Sequence, residues 1–361
     1  ETRDQRPPLH SLARSNATLA SNPLPRHVPP RSTAARASAP SPRRIPTRGT
    51  PAPRPRSPLM TAYFTGRALS WEIVDDVLEV AMHRDPANEL GTTTLAELET
   101  LADAVTHGST GARALIWHST VDRGFCAGAD LRELHSGLVE RGERQRELVR
   151  KVTDRLPRSA SKLVKRGVKR AAAPLVRRRV GDFIDRIHTV FDKLDTAPIP
   201  TIAAVHGVCL GGGLEWALTA DILVADKSAR FGFPELRLGL VPGFGGIPRL
   251  SRDVGNAVVR DLLLTGRTVR ASRAYDLGLV SQVVARGEAL SVARAVARQT
   301  LRFDPEVTAK AKAFMKPLPR EQLDREKALF LQLVTDPRVF DALTTFVEDE
   351  GPMPWLPKDR P

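Results

Sequence analysis

Glu215 and Glu235 are the residues of this chain whose setting suggests chemistry. Glu215 closes the run Gly211-Gly212-Gly213-Leu214-Glu215, and Glu235 closes Pro234-Glu235, twenty residues further on. Two carboxylates can divide proton transfer between them, one accepting while the other orients or donates. The glycine run follows Thr201-Ile202-Ala203-Ala204-Val205, an apolar stretch that reads as a buried strand, and it precedes a helix-like segment, Leu214 to Ala220. A strand feeding a helix through glycines lets a ligand approach the backbone, and the first helical turn presents free N–H donors at the positive end of the dipole. A second loop of this kind lies upstream. Ala114-Leu115-Ile116-Trp117-His118 reads as a strand, followed by Gly124-Phe125-Cys126-Ala127-Gly128-Ala129-Asp130-Leu131. One N–H from each loop makes a two-donor oxyanion hole, which stabilises the enolate formed when a thioester is attacked or deprotonated.

Each residue also has a plainer reading. Glu215 alone could simply complement a helix dipole, and Glu235 alone could be a solvated loop residue. Their joint placement favours the chemical reading. Asp130 fits a loop or helix cap better than a catalyst, and His206 fits a packed, hydrogen-bonded histidine. No His or Cys spacing suggests a metal site. Cys126 and Cys209 are the only cysteines, so no disulfide framework is expected and an intracellular, reducing setting follows.

The runs Phe125-Cys126-Ala127-Gly128-Ala129-Asp130-Leu131, Ala203-Ala204-Val205-His206-Gly207 through Gly211-Gly212-Gly213, and Val241-Pro242-Gly243-Phe244-Gly245-Gly246 resemble signatures of the crotonase superfamily, specifically of enoyl-CoA hydratases. The resemblance extends from about Trp71 to about Val284, with a weaker tail to about Pro352 and an interruption at 136–185. It implies that Ala129 and Gly212 supply the two oxyanion N–H groups and that Glu215 and Glu235 are the catalytic pair. It places Cys126, Ala127, Asp130, Leu131, Arg132, Gly211, Pro234, Pro242 and Gly243 along the acyl group and CoA. The implied reaction, part of fatty acid metabolism, is reversible syn addition of water to a 2-enoyl-CoA, giving a 3-hydroxyacyl-CoA. Enoyl-CoA delta-isomerase, or another crotonase-type lyase or hydrolase, is the alternative. No cofactor is implied, because CoA arrives with the substrate. Relatives form trimers, often paired into hexamers, and a cytoplasmic location is expected. One departure stands out: Phe346-Val347-Glu348 is followed by Asp349 and Glu350, where relatives carry basic residues. Phosphate recognition is therefore expected from Arg132 or from the insertion.

The elements that must position these groups read as an α/β fold. The resemblance makes it a crotonase (ClpP-like) β-β-α spiral over 60–300, interrupted by the insertion 136–185, with a C-terminal helical oligomerisation region over 301–361. Strands are expected at Val77–Met82 and Ile222–Ala225, and helices at Thr94–Thr106, Val258–Leu264, Ala271–Leu277, Leu323–Leu333 and Arg338–Val347.

Charge sets two segments apart from this core. The chain carries a formal +14; residues 1–59 account for +9 and residues 141–179 for +12, which leaves −7 on the remainder. Residues 1–59 hold thirteen prolines and few large apolar groups, too little for a packed core. They read as a disordered tail, a transit peptide or an extension ahead of a start at Met60, the last being preferred. From Leu163 to Val180 a helical apolar stripe alternates with basic residues, and Pro174 is expected to kink or divide that helix. The stripe is expected to pack on the acidic core. An anionic membrane or a nucleic acid is the alternative, although aromatics for base stacking are missing. Its position also suits a cover over the substrate mouth.

Overall fold

The computed structural model describes residues 63–137 and 158–348, with 158–176 described as backbone only. Residues 1–59, Met60, 141–157, Asp349 and Glu350 lie outside these, as do the side chains of most of the basic stripe.

Two sheets organise the core. The larger has strands β1 (Tyr63–Thr65), β2 (Leu69–Val74), β3 (Val77–Met82), β4 (Ala114–Ser119), β6 (Thr201–Val205), β8 (Ile222–Asp226) and β11 (Gln282–Val284), side by side in that order. The first three run antiparallel, and the pairs from β3 onward are parallel. Alternation along β4 explains why both faces are covered. Leu115 and Trp117 point into one apolar cluster and Ala114 and Ile116 into the other, the period-two signature of a strand. Trp117 meets Trp216 edge to face at 5.0 Å between centroids. Ala289, Ala293, Val296 and Ala297 of a helix at Ala289–Thr300 close the far face.

The smaller sheet places the site. It contains β10 (Val269–Arg270), β9 (Arg230–Gly232), β7 (Val208–Leu210) and β5 (Gly124–Cys126) in that order, and β5, β7 and β9 run parallel. Each turn of the chain lays one strand in the large sheet and then one in the small sheet. β4 leads to β5, β6 to β7, and β8 to β9. Each of these short strands runs into a loop or helix start at the same end of the small sheet, the end where ligands gather in parallel sheets. The sequence pattern reads Gly124–Cys126 as loop, and the structure makes it a strand. Three residues are too few to show a period, and only their partners Gly207 to Cys209 bring them into the sheet.

Among the described helices, α1 spans Thr92–Thr106, α2 Arg158–Asp195 and α3 Gly212–Ala217. α3 stops three residues short of the expected Ala220. Helix α2 is not divided at Pro174, since one helix passes through it. A mid-helix proline costs about 3 kcal/mol; against this, the C-terminal half is anchored by buried Ile184, Ile187, Val190, Phe191 and Leu194. The stripe reaches the described side chains only at Val180, which packs on the core.

Further on come α4 (Gly246–Val254), α5 (Asn256–Thr265), α6 (Ala271–Asp276), α7 (Ala289–Thr300), α8 (Pro305–Met315), α9 (Arg320–Leu333) and α10 (Pro337–Glu348). A buried ion network ties three helices together. Arg249 of α4 is fully buried and bonds Asp192 at 2.7 Å and Asp195 at 2.9 Å, both on α2. Asp195 also meets Arg252 at 2.9 Å and Lys316, the residue after α8, at 2.9 Å. Opposite charges surround Asp195 and hold its carboxyl below its ordinary range, although burial alone would raise it.

Candidate active site

Three chain segments bring the sequence-identified residues together. After β5 come Ala127, Gly128, Ala129, Asp130 and Leu131; after β7 come Gly211, Gly212 and Glu215; after β9 come Pro234 and Glu235. All of these line one apolar cavity of about 300 Å³, as do Leu134, Val180, Phe183, Ile184, Leu238, Gly243, Phe244 and Phe330.

The backbone at Gly211 and Gly212 needs glycine. Gly211 sits at φ 50°, ψ −127°, and a Cβ there would lie 2.6 Å from Oε1 of Glu235. A Cβ on Gly212 would lie 2.9 Å from the Phe244 ring and 3.3 Å from the Ala129 nitrogen. The two loops therefore meet at one point. Among the described residues neither the Ala129 nor the Gly212 N–H donates a hydrogen bond, and Gly212 is the first residue of α3, where N–H groups have no helical acceptor.

The carboxylates face the same space. Glu215 is 2% exposed. Its Oε1 alone accepts the N–H groups of Phe244 and Gly246, both at 2.8 Å, which leaves Oε2 outside this pair. Burial pushes its carboxyl up to about 7, against the opposing pull of those N–H groups. Glu235 begins a short 3-10 turn at Glu235–Leu238. Its residue is half-buried, but its Oε2 is buried without a partner among the described residues. Burial first, and then the Glu215 charge, push the Glu235 carboxyl well above its ordinary range. Both carboxyls are thus held above their ordinary range by burial, and the charge of one raises the other.

Asp130 also lines the cavity but has a structural task, and other sequence-identified residues fall outside it. Asp130 caps the helical segment 131–137, its Oδ1 accepting Glu133 N–H at 2.8 Å, and it pairs with Arg84. Cys126 lies behind the cavity, its thiol donating to the Asn88 carbonyl at 3.0 Å, and burial pushes that thiol up to about 12. Pro242 is buried and outside the lining residues. Arg132 also stands outside the cavity; it donates to the Val347 carbonyl at 3.0 Å and lies over the Phe346 ring. His206 is held on the Val121 carbonyl at 3.0 Å. Both cysteines are free and buried. Among the described residues no group of three or more His, Cys, Asp or Glu could hold a metal ion, and no helix is long and apolar enough to cross a membrane.

The sequence reading missed two residues that brace the site. Glu326 of α9 accepts Gly245 N–H at 2.6 Å and Ile247 N–H at 2.8 Å. His188 of α2 bonds the Gly243 carbonyl at 2.8 Å, and burial lowers its pKa. A signal was present for each. Glu326 stands three residues after Leu323 and four before Phe330, and His188 four after Ile184, so each lies on its helix's apolar face.

A β-β-α spiral that gathers two unpartnered N–H groups and two buried carboxylates around an apolar cavity defines a crotonase-type fold and site. The chain belongs to the enoyl-CoA hydratase/isomerase family. The family model described as "Enoyl-CoA hydratase/isomerase" matches residues 177–355. A Zymoseptoria tritici relative named an enoyl-CoA isomerase/hydratase is 30% identical over 293 residues, covering 77% of this chain and 83% of that protein. A Mycobacterium leprae relative named a probable enoyl-CoA hydratase is 38% identical over 169 residues, covering 45% of this chain; the match spans 65% of that relative's length. The crystal structure of an enoyl-CoA hydratase from Bacillus halodurans superposes with a TM-score of 0.60 at 19% identity, covering 77% of this chain and 99% of that one, a likeness of fold.

Proposed function

We propose that the protein hydrates 2-enoyl-CoA thioesters reversibly, giving 3-hydroxyacyl-CoA. The observation that carries this is that Glu215 and Glu235, both raised above their ordinary range by burial, line one apolar cavity together with the unpartnered N–H groups of Ala129 and Gly212. Ionised Glu215 takes a proton from a water held between the carboxylates, and that water attacks C3. The electron pair moves to the thioester oxygen, where Ala129 and Gly212 stabilise the enolate. Protonated Glu235 then delivers its proton to C2 on the same face. Acid–base help of this kind is worth about 10²–10⁴-fold, and one oxyanion donor about 10²–10³-fold. An isomerase needs only one main base. The second carboxylate favours hydration, although the family name covers both reactions.

The cavity's apolar wall suits an acyl chain, and Arg179, exposed at the same cavity beside Val180, supplies positive charge for CoA phosphate. This makes the α2 segment around Arg179 to Ile184 one side of the substrate mouth. In this reading no cofactor is needed. Phe303, Val307, Phe314 and Met315, near and on α8, are 66%, 65%, 88% and 74% exposed, which supports burial against other copies in a trimer or hexamer. Two free thiols fit a reducing, cytoplasmic setting.

The test offers the full chain straight, branched and cyclic 2-enoyl-CoAs and identifies the products. A 3-hydroxyacyl-CoA from at least one of them is the expected result. Double-bond migration without hydration would replace this reading with the isomerase.

A further inference from the structure

The loop from Gly243 to Ile247, which enters α4, is gripped from several sides. His188 bonds the Gly243 carbonyl, and Arg249 donates to the Phe244 carbonyl at 2.9 Å. Its four successive N–H groups are divided between two carboxylates. Glu215 takes those of Phe244 and Gly246, and Glu326 takes those of Gly245 and Ile247. The grip of Glu326 is bidentate, with Oε1 on one N–H and Oε2 on the other, whereas Glu215 uses a single oxygen. Glu326 is 5% exposed and is not among the residues lining the cavity. It therefore touches no substrate, and its contacts with the site are the two loop N–H groups.

The same helix presses on the loop at two more points. A Cβ at Gly245 would lie 2.6 Å from Leu323, and one at Gly243 would lie 2.5 Å from the Phe330 ring. Leu323, Glu326 and Phe330 form one face of α9, at spacings of three and four residues. That face covers the backbone whose far side holds Glu215.

We infer that Glu326 is a positioning residue for Glu215: it fixes the alternate N–H groups of the 243–247 loop, so the site carboxylate is seated correctly only when helix α9 is docked. This rests on the functional reading above. It extends that reading by making a residue more than a hundred positions away in sequence part of the site's geometry.

The test uses the full chain with Glu326→Gln, and Lys327→Ala as the control. Lys327 lies on the same helix but pairs with Asp185 of α2, away from the loop. An amide has one accepting oxygen, so Glu326→Gln leaves one of the two N–H groups without its acceptor. The expected result is a fall in kcat of about 10- to 100-fold with KM within about twofold, because the oxyanion donors and cavity walls stay in place while Glu215 is displaced. Amide hydrogen exchange across 243–247 should speed up while β4 and β6 stay protected, and Lys327→Ala should change neither quantity. Wild-type kcat and exchange in folded Glu326→Gln would overturn the inference, as would an equal fall in Lys327→Ala. If Glu326→Gln does not fold, Glu326→Asp serves in its place, its shorter arm being unable to span both N–H groups. If the wild-type chain acts on no enoyl-CoA, the hydratase reading fails. Exchange then decides the inference alone: faster exchange supports it and unchanged exchange overturns it.

Discussion

Two buried clusters of charged side chains adjoin in this molecule, and they are built on opposite rules. Around Asp195, each carboxylate meets guanidinium or ammonium groups: Arg249, Arg252 and Lys316 surround it. Around Glu215, a carboxylate meets backbone N–H groups and other carboxylates, Glu235 and Glu326. Arg249 touches both clusters, bonding Asp195 with Nε and the Phe244 carbonyl with Nη1. At Asp195 burial is outweighed by three cations and the carboxyl is lowered, whereas at Glu215 burial outweighs the backbone N–H groups and Arg249 and the carboxyl is raised. Burial is common to the two, so the number of cations set against it separates Asp195 from Glu215.

Substitutions at the carboxylates sharpen that contrast most strongly. Glu215→Gln keeps both loop N–H bonds, since both go to one oxygen, and removes only the base. Its kcat should fall about 10²–10⁴-fold with little loss of folding stability, read by steady-state kinetics beside thermal melting. Glu235→Gln should lose activity on the same scale. Asp195→Ala inverts the pattern. Removing one partner strands buried cations and should cost about 3–5 kcal/mol, read by denaturant titration.

Stability against pH separates the clusters again. The Glu215 carboxyl is raised on folding, so its contribution is fully present below the unfolded pKa and is lost as pH rises through about 7. The Asp195 carboxyl is lowered, so its contribution is present above the unfolded pKa and is lost on acidification. Glu215→Gln should therefore melt higher than wild type at pH about 8, by about 1–3 kcal/mol, with the advantage shrinking toward pH about 5. The smallest effect concerns the substrate mouth. Arg179→Glu should raise KM several-fold for an enoyl-CoA and leave it unchanged for the matching enoyl-pantetheine, which lacks the nucleotide phosphates. Equal change for the two would remove Arg179 from CoA recognition.

Distance along the chain decided how much of this was legible in sequence. Glu215 and Glu235 sit in short motifs near glycines that local reading exposed, the resemblance to crotonases added Ala129 and Gly212, and the structure lines one cavity with all four. Four large-sheet strands, β3, β4, β6 and β8, showed their apolar runs, whereas β1, β2 and β11 did not. The small sheet did not, because strands such as Gly124–Cys126 exist only through register with a distant partner. Glu326 and His188 lie on apolar helix faces, but their tasks, like that of Arg249, depend on distant partners. Each is one charged or polar residue in a helix rich in charge, and its role appears only when the helix docks. Arg132 shows the reverse: a basic residue next to the oxyanion loop looked suited to phosphate, but the end of α10 holds it on the Val347 carbonyl.

The most direct test of the central claim is the pH dependence of kcat/KM for hydration by the full chain. An acid limb with an apparent pKa near about 7, the value to which burial raises Glu215, is the expected result. A rate flat from pH about 5 to about 8 would mean that no carboxylate titrates there during catalysis, and would contradict the assignment of Glu215 as the base.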